Sequence, residues 1–137
     1  MFPTYRQSIS SNCGLVCIKI IVKYYGKKYP PVFLHRKIKL SNRGCSIYEL
    51  SELSKSLGFR TNTLNISLNN LEKIELPCIA HWNQNHYIVL YKINKDYIFI
   101  SDPSLGLVKY NKVEFIKGWS TTGVSNPMGI ILEMIPT

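Results

Sequence analysis

Cysteine, histidine and aspartate together can run nucleophilic acyl transfer: a thiolate attacks, an imidazole moves the proton, and a carboxylate keeps the imidazole in the productive tautomer. The 137-residue sequence has cysteines at 13, 17, 45 and 78 and histidines at 35, 81 and 86. A free thiol with a pKa near ~8.5 is mostly protonated at neutral pH, so a nucleophilic cysteine needs surroundings that favour the anion. Cys13 opens a stretch in which Leu15, Val16, Ile18, Ile20, Ile21 and Val22 recur at helical spacing around Lys19 and Lys23, and Gly26 stops it. In the first turn of that helix the sulfur meets unpaired backbone N–H groups and the positive end of the helix dipole. Gly14 is expected to leave room beside it for a substrate backbone. Cys17, one turn further in, is expected to be shielded. Taken alone, each cysteine reads more simply as a small buried hydrophobe, so the partners decide.

His86 opens the run HYIVLYKI directly after the polar turn NQN, which puts its imidazole at a strand end where it can reach a cleft edge. Asp102 ends the next strand-like run, in ISDPSLG. A hairpin between the two runs sets the start of one strand beside the end of the other, so His86 and Asp102 are predicted neighbours. On its own, Asp-Pro is an ordinary turn signal. Acyl transfer also needs a donor for the developing oxyanion, and Gln7, six residues before Cys13, offers a side-chain amide to work with the Cys13 N–H. His35 is expected on a solvated helix face, and His81, in an alternating strand, is expected to be structural. Trp82, Tyr24 and Tyr25 read as core or cleft-wall aromatics.

The elements that must position these residues fall into two blocks. After the first helix, a second is expected beyond Pro30 and Pro31. A third is expected over 46–57, with Ser46 as N-cap, Glu49 as its capping-box partner and Gly58 past the end. Then the pattern shifts to short runs rich in Ile, Val, Tyr and Phe over 77–82, 86–93 and 97–101, which read as neighbouring antiparallel strands. A short strand at 108–110, a helical turn at 112–119 and a last apolar strand at 129–135 complete the chain. Helices first and strands afterwards give an α+β fold, N-terminal helices packed on an antiparallel sheet, as one domain over 1–137.

Composition narrows the function classes. With 45% hydrophobic and 18% charged residues the chain can build its own core. It lacks an apolar run long enough to span a membrane, a secretory signal, paired CxxC or HxxxH metal spacing and a phosphate-cradling GxxxxGK[ST] loop. The reading is therefore cytoplasmic, with no metal, no cofactor and no direct membrane span. Residues 1–60 hold eleven Lys or Arg against two Glu, which accounts for the whole net charge of +9, while 61–137 balance six against six. Such a basic half attracts nucleic acid, an anionic membrane surface or an acidic peptide alike, and no nucleic-acid motif accompanies it. Lys19, Lys23, Lys27 and Lys28 read either as a solvated face or as part of a peptide-binding surface.

Four segments carry a family resemblance: QSISSNCGLVCIKIIVKYYG, RGCSIYELSELSKSLGF, LPCIAHWNQNHYIVLYKI and ISDPSLGLVKYNKVEFIKGW. In their order and spacing the sequence resembles the bacteriocin-processing peptidase domain of peptidase-containing ABC transporters, papain-like cysteine peptidases that remove leader peptides after a double-glycine motif. The resemblance implies Cys13 as nucleophile, His86 as base, Asp102 as the orienting acid and Gln7 as oxyanion donor. It also implies a leader-bearing precursor peptide as substrate and ABC transporter membrane and nucleotide-binding domains as partners, in the same chain or a separate one, at the cytoplasmic face of a bacterial membrane. Relatives usually carry aspartate just before the cysteine; Asn12 stands there instead and can cap the helix without bringing charge. The other readings are a noncatalytic peptide-docking domain of the same fold, whose members lack the cysteine present here, and a basic nucleic-acid binder.

Overall fold

The computed structural model describes residues 1–5, 13–28 and 46–137. Helix α1 (Cys13–Tyr24) buries Leu15, Cys17, Ile18, Ile20, Ile21 and Val22. It ends as its glycine dictates: Gly26 takes φ +67°, its N–H donates to the Lys23 carbonyl at 3.0 Å, and the Lys27 N–H reaches back to the Val22 carbonyl at 3.1 Å. These are the two bonds that satisfy otherwise orphaned carbonyls at a glycine-terminated helix. Helix α2 (Ile47–Ser56) starts on a reciprocal cap, with Ser46 Oγ accepting the Glu49 N–H and Glu49 Oε1 accepting the Ser46 N–H. The segment after Pro30 and Pro31 lies outside the described residues.

Strand β1 (Phe59–Ser67) follows, then a single turn of helix, α3 (Leu68–Leu71), and the strands β2 (Cys78–Trp82), β3 (His86–Ile93), β4 (Tyr97–Asp102) and β5 (Gly106–Asn111). Helix α4 (Lys112–Trp119), capped reciprocally by Asn111 and Glu114, leads to β6 (Met128–Pro136). The six strands form one antiparallel sheet in the order β1-β6-β2-β3-β4-β5.

Strand β1 departs from the sequence expectation: it stands where no strand was expected, because FRTNTLNIS shows the sheet a mostly polar, exposed edge. The last strand, β6, inserts between β1 and β2.

Alternation along the shared strands sorts the core onto two faces. Ile79, Val89, Leu132 and Met134 meet α1 and α2, where Leu15, Ile18, Ile21, Leu50 and Leu53 complete one cluster. On the other face Cys78, Ala80, Trp82, Ile88, Leu90, Ile100 and Ile131 meet Phe115 and Trp119 of α4. Full burial of one such aliphatic side chain contributes about 1.5–3 kcal/mol, and a slip of one residue would exchange both sets, so the register is fixed from both sides. Gly129 is needed here, since a Cβ would come within 2.2 Å of the Trp119 ring. Between Leu90 and Lys92 the β3–β4 register shifts, and Tyr91 at that irregularity stacks on Phe2 at 4.0 Å between ring centroids. Among the described residues no helix is long and apolar enough to cross a membrane.

Candidate active site

Cys13 stands at the head of α1 and is buried. The helix packs chiefly on β3, whose first residue is His86, so the element bearing the thiol and the element bearing the imidazole touch along their length. Gly14 departs from expectation. A Cβ there would lie 2.9 Å from Leu50 Cδ2 and 3.3 Å from Tyr87 Cδ2, so the missing side chain admits α2 and β3 rather than a substrate backbone.

His86 and Asp102 are joined directly: His86 Nε2–H donates to Asp102 Oδ1 at 2.8 Å. The register pairs Val89 with Ser101, so the two residues sit on a diagonal rather than opposite each other, and their side chains span the offset. With Nε2 committed to the carboxylate, Nδ1 is the ring nitrogen left for a second partner, and the Cys13 thiol stands near enough to act on the His86 charge.

The electrostatics follow from these contacts. Burial of the His86 ring opposes its charged form, but the hydrogen bond to Asp102 and the proximity and charge of Asp102 and Cys13 outweigh that, lifting the pKa to about 9. For Asp102, burial pulls toward the neutral acid. The hydrogen bond from His86, the Ser104 N–H, the imidazolium charge and the Leu105 N–H together hold the carboxyl below its ordinary range. The Ser104 N–H lies 2.7 Å from the same Oδ1. Asp102 is thus both the turn residue that its Asp-Pro context suggests and the acceptor for the imidazole. Beside it the buried Ser101 hydroxyl donates to the Pro3 carbonyl at 2.9 Å, tying the N-terminal segment to the end of β4.

The other cysteines are set apart by their surroundings. Burial, then the charges of Cys13 and Asp102, push the Cys17 thiol well up, and burial followed by the charge of Glu133 pushes up that of Cys78. Both stay protonated thiols packed in the two cores. Gln7, Asn12, His35 and Cys45 lie outside the described residues. Lys19 and Lys23 lean over the Tyr5 ring, at 4.3 and 5.9 Å from its centroid, and Lys27 over Phe59.

His81, expected to be structural, bonds the Gln84 carbonyl through Nε2 at 2.8 Å, a partner that the sequence did not name. The signal was the polar NQN turn that follows Trp82, which announces a reversal without stating its backbone geometry.

Comparison with known proteins places the chain in a family. A model of the peptidase C39 family matches residues 1–125. The chain is 30% identical over 134 residues to the colicin V secretion/processing ATP-binding protein CvaB of Escherichia coli, covering 98% of this chain and 18% of that protein. It is 34% identical over 118 residues to the sublancin-168-processing and transport ATP-binding protein SunT of Bacillus subtilis, covering 80% and 17%. The chain thus spans less than a fifth of the length of the curated relatives it matches. Among solved structures, it resembles a double glycine motif protease from an AMS/PCAT transporter in complex with the leader peptide, with a TM-score of 0.86 at 27% identity over 98% of this chain and 91% of that one. The fold also matches the peptidase domain of Streptococcus ComA, with a TM-score of 0.83 at 22% identity over the whole of both chains.

Proposed function

Because the chain belongs to the peptidase C39 family of cysteine peptidases, we propose that it cleaves precursor peptides after a double-glycine leader, with Cys13 as nucleophile, His86 as base and Asp102 as the group that orients the base. One observation carries the reading: a single imidazole donates to a buried carboxylate at 2.8 Å and stands near enough to a thiol at a helix head for the two to shift each other's charge balance. The leader substrate is supported by the likeness to a double glycine motif protease bound to a leader peptide.

In this mechanism the Cys13 sulfur gives up its proton to His86 and attacks the carbonyl carbon of the second glycine. The carbonyl oxygen becomes an oxyanion, which the Cys13 N–H and the amide of Gln7 would stabilise. Collapse breaks the peptide bond as His86 delivers its proton to the departing amine, leaving a thioester on Cys13. His86 then takes a proton from water as its oxygen attacks the thioester, the C–S bond breaks, the leader leaves as its free acid, and the imidazolium returns the proton to the Cys13 sulfur. Asp102 stays ionised throughout and stabilises the imidazolium at each stage. The relatives that process and export peptides are ATP-binding transport proteins, so the peptidase would work beside ABC transporter membrane and nucleotide-binding domains at the cytoplasmic face of a membrane.

The test uses a synthetic amphipathic leader ending in Gly-Gly and joined to a fluorogenic amine. Wild type should release the amine, Cys13→Ala should not, and Cys17→Ala and Cys78→Ala should retain turnover. Iodoacetamide should label Cys13 before Cys17 or Cys78, and normal turnover by Cys13→Ala would overturn the assignment.

A further inference from the structure

His86 is delivered by the turn at 83–85, and the backbone of that turn is unusual: Asn83 and Gln84 both take positive φ, 49° and 67°. Left-handed conformations are costly for residues bearing a Cβ, less for Asn than for Gln. Contacts from outside must therefore hold the turn. On one side the Asn83 N–H donates to the Gly118 carbonyl of α4 at 2.8 Å. On the other, His81 Nε2 bonds the Gln84 carbonyl at 2.8 Å, and since a carbonyl can only accept, that nitrogen carries the proton. The His81 ring is fixed in turn against Tyr87, its cross-strand partner, with ring centroids 5.4 Å apart. Tyr87 packs beside Gly14, the neighbour of Cys13. A line of contacts therefore runs from the helix head through Tyr87 and His81 to the Gln84 carbonyl, two residues before His86.

We propose that His81 is a positioning residue for the reaction: its Nε2–H, held on the Gln84 carbonyl, fixes the turn at 83–85 and thereby sets where the His86 imidazole stands between Cys13 and Asp102. The inference rests on the reading of His86 as the base. His81 acts through the backbone and does not touch substrate. What the geometry requires at this position is a hydrogen-bond donor at a given reach, not an aromatic ring and not a charge. His81→Phe keeps the ring against Tyr87 and loses the donor; His81→Gln keeps a donor of similar reach.

The experiment follows the His86 imidazole by NMR titration of the 137-residue chain, with and without each substitution, beside turnover of the Gly-Gly leader probe. A misplacement of the base on the order of 1 Å costs roughly a hundredfold, so His81→Phe should lower kcat about ten- to a hundredfold. Because the probe's binding contacts are untouched, KM should change less than about twofold. The His86 midpoint should move down toward that of an ordinary histidine as its bond to Asp102 loosens, and His81→Gln should restore most of both. If His81→Phe does not fold, His81→Asn, whose amide falls short of the Gln84 carbonyl, should give the same two losses. An unchanged kcat and titration in the donor-free variant would overturn the proposal. So would lost turnover with an unmoved His86 midpoint, which would make His81 a substrate contact. Normal turnover by His86→Ala would instead sink the assignment of the base, and the titration would still report whether His81 positions its ring.

Discussion

The turn at 103–105, which follows Asp102, and the turn at 83–85, which precedes His86, carry the two partners of one hydrogen bond yet are held differently. The first holds itself. The Asp102 carboxylate accepts the Ser104 N–H at 2.7 Å and interacts with that of Leu105, Pro103 is buried, and Gly106 takes the one left-handed position, φ +86°. The second is exposed at all three residues and places two non-glycine residues at positive φ. It relies on α4 through Gly118 and on β2 through His81. Asp102 is thus placed by chemistry within five consecutive residues, His86 by contacts with separate elements. His86 should therefore be the more sensitive of the two to substitutions away from the site.

The largest effect that tests this contrast comes from Asp102→Asn. Asparagine keeps an oxygen for the Ser104 N–H, so the self-held turn should survive and the thermal midpoint should change little. Loss of the charge that stabilises the imidazolium should lower kcat by about 10³–10⁴. A collapsed melting curve in place of a kinetic defect would break the claim that this turn needs only an acceptor.

Next in size is the pH dependence. The His86 pKa is raised from 6.5 to about 9, so its contribution to stability is fully present below pH 6.5 and is lost as pH rises through about 9. The Asp102 pKa is lowered, so its contribution is present above its unfolded value and is lost as pH falls through the folded one. The alkaline limb of kcat/KM should lie near pH 9 in wild type and move to lower pH in Asp102→Asn. A wild-type limb near 6.5 would mean that the imidazole is not held between two anionic partners.

The smallest expected effect is that of Gly118→Ala, which probes the α4 side of the exposed turn. A Cβ there would come within 2.4 Å of the Trp82 ring, which is itself packed on Tyr110 and Phe115. Alanine gains about 1 kcal/mol of helix propensity over glycine, while overpacking costs typically 1–3 kcal/mol. The net should be a loss of about 1 kcal/mol in urea denaturation, with kcat falling a few-fold because Asn83 leans on the same residue. A stabilised variant with unchanged kcat would show that α4 does not restrain the turn.

The features that were legible in the sequence are those encoded over short distances. The cap at Ser46 and Glu49, the stop at Gly26, and the hairpin that brings His86 to Asp102 all involve neighbours or adjacent strands. Strand β1 was not legible because its residues are polar at an edge and its partner, β6, lies 61 to 77 positions away in the register. Gly14 was legible as a close approach but not as to what approaches; Leu50 and Tyr87 occupy the space assigned to substrate. The His81–Gln84 bond was hidden for another reason: NQN marks a turn, but the left-handed pair that turns the Gln84 carbonyl toward His81 depends on restraints from α4 and β2. Gln7 was proposed from the sequence and lies outside the described residues.

The place of β6 bears on when the enzyme can exist at all. It follows every other described element, yet it pairs with both β1 and β2 and gives Leu132 to one core and Ile131 to the other. During synthesis from the N-terminus, α1 and the β2–β3–β4–β5 meander emerge first, carrying the thiol, the imidazole and the carboxylate. They wait with β1 unpaired until residues 128–136 arrive. Contacts of such long sequence separation form late and slowly, and the open strand edges invite wrong partners in the interval. Proteolytic competence should therefore wait on residues 128–136 joining the sheet, whatever the order in which the other strands form.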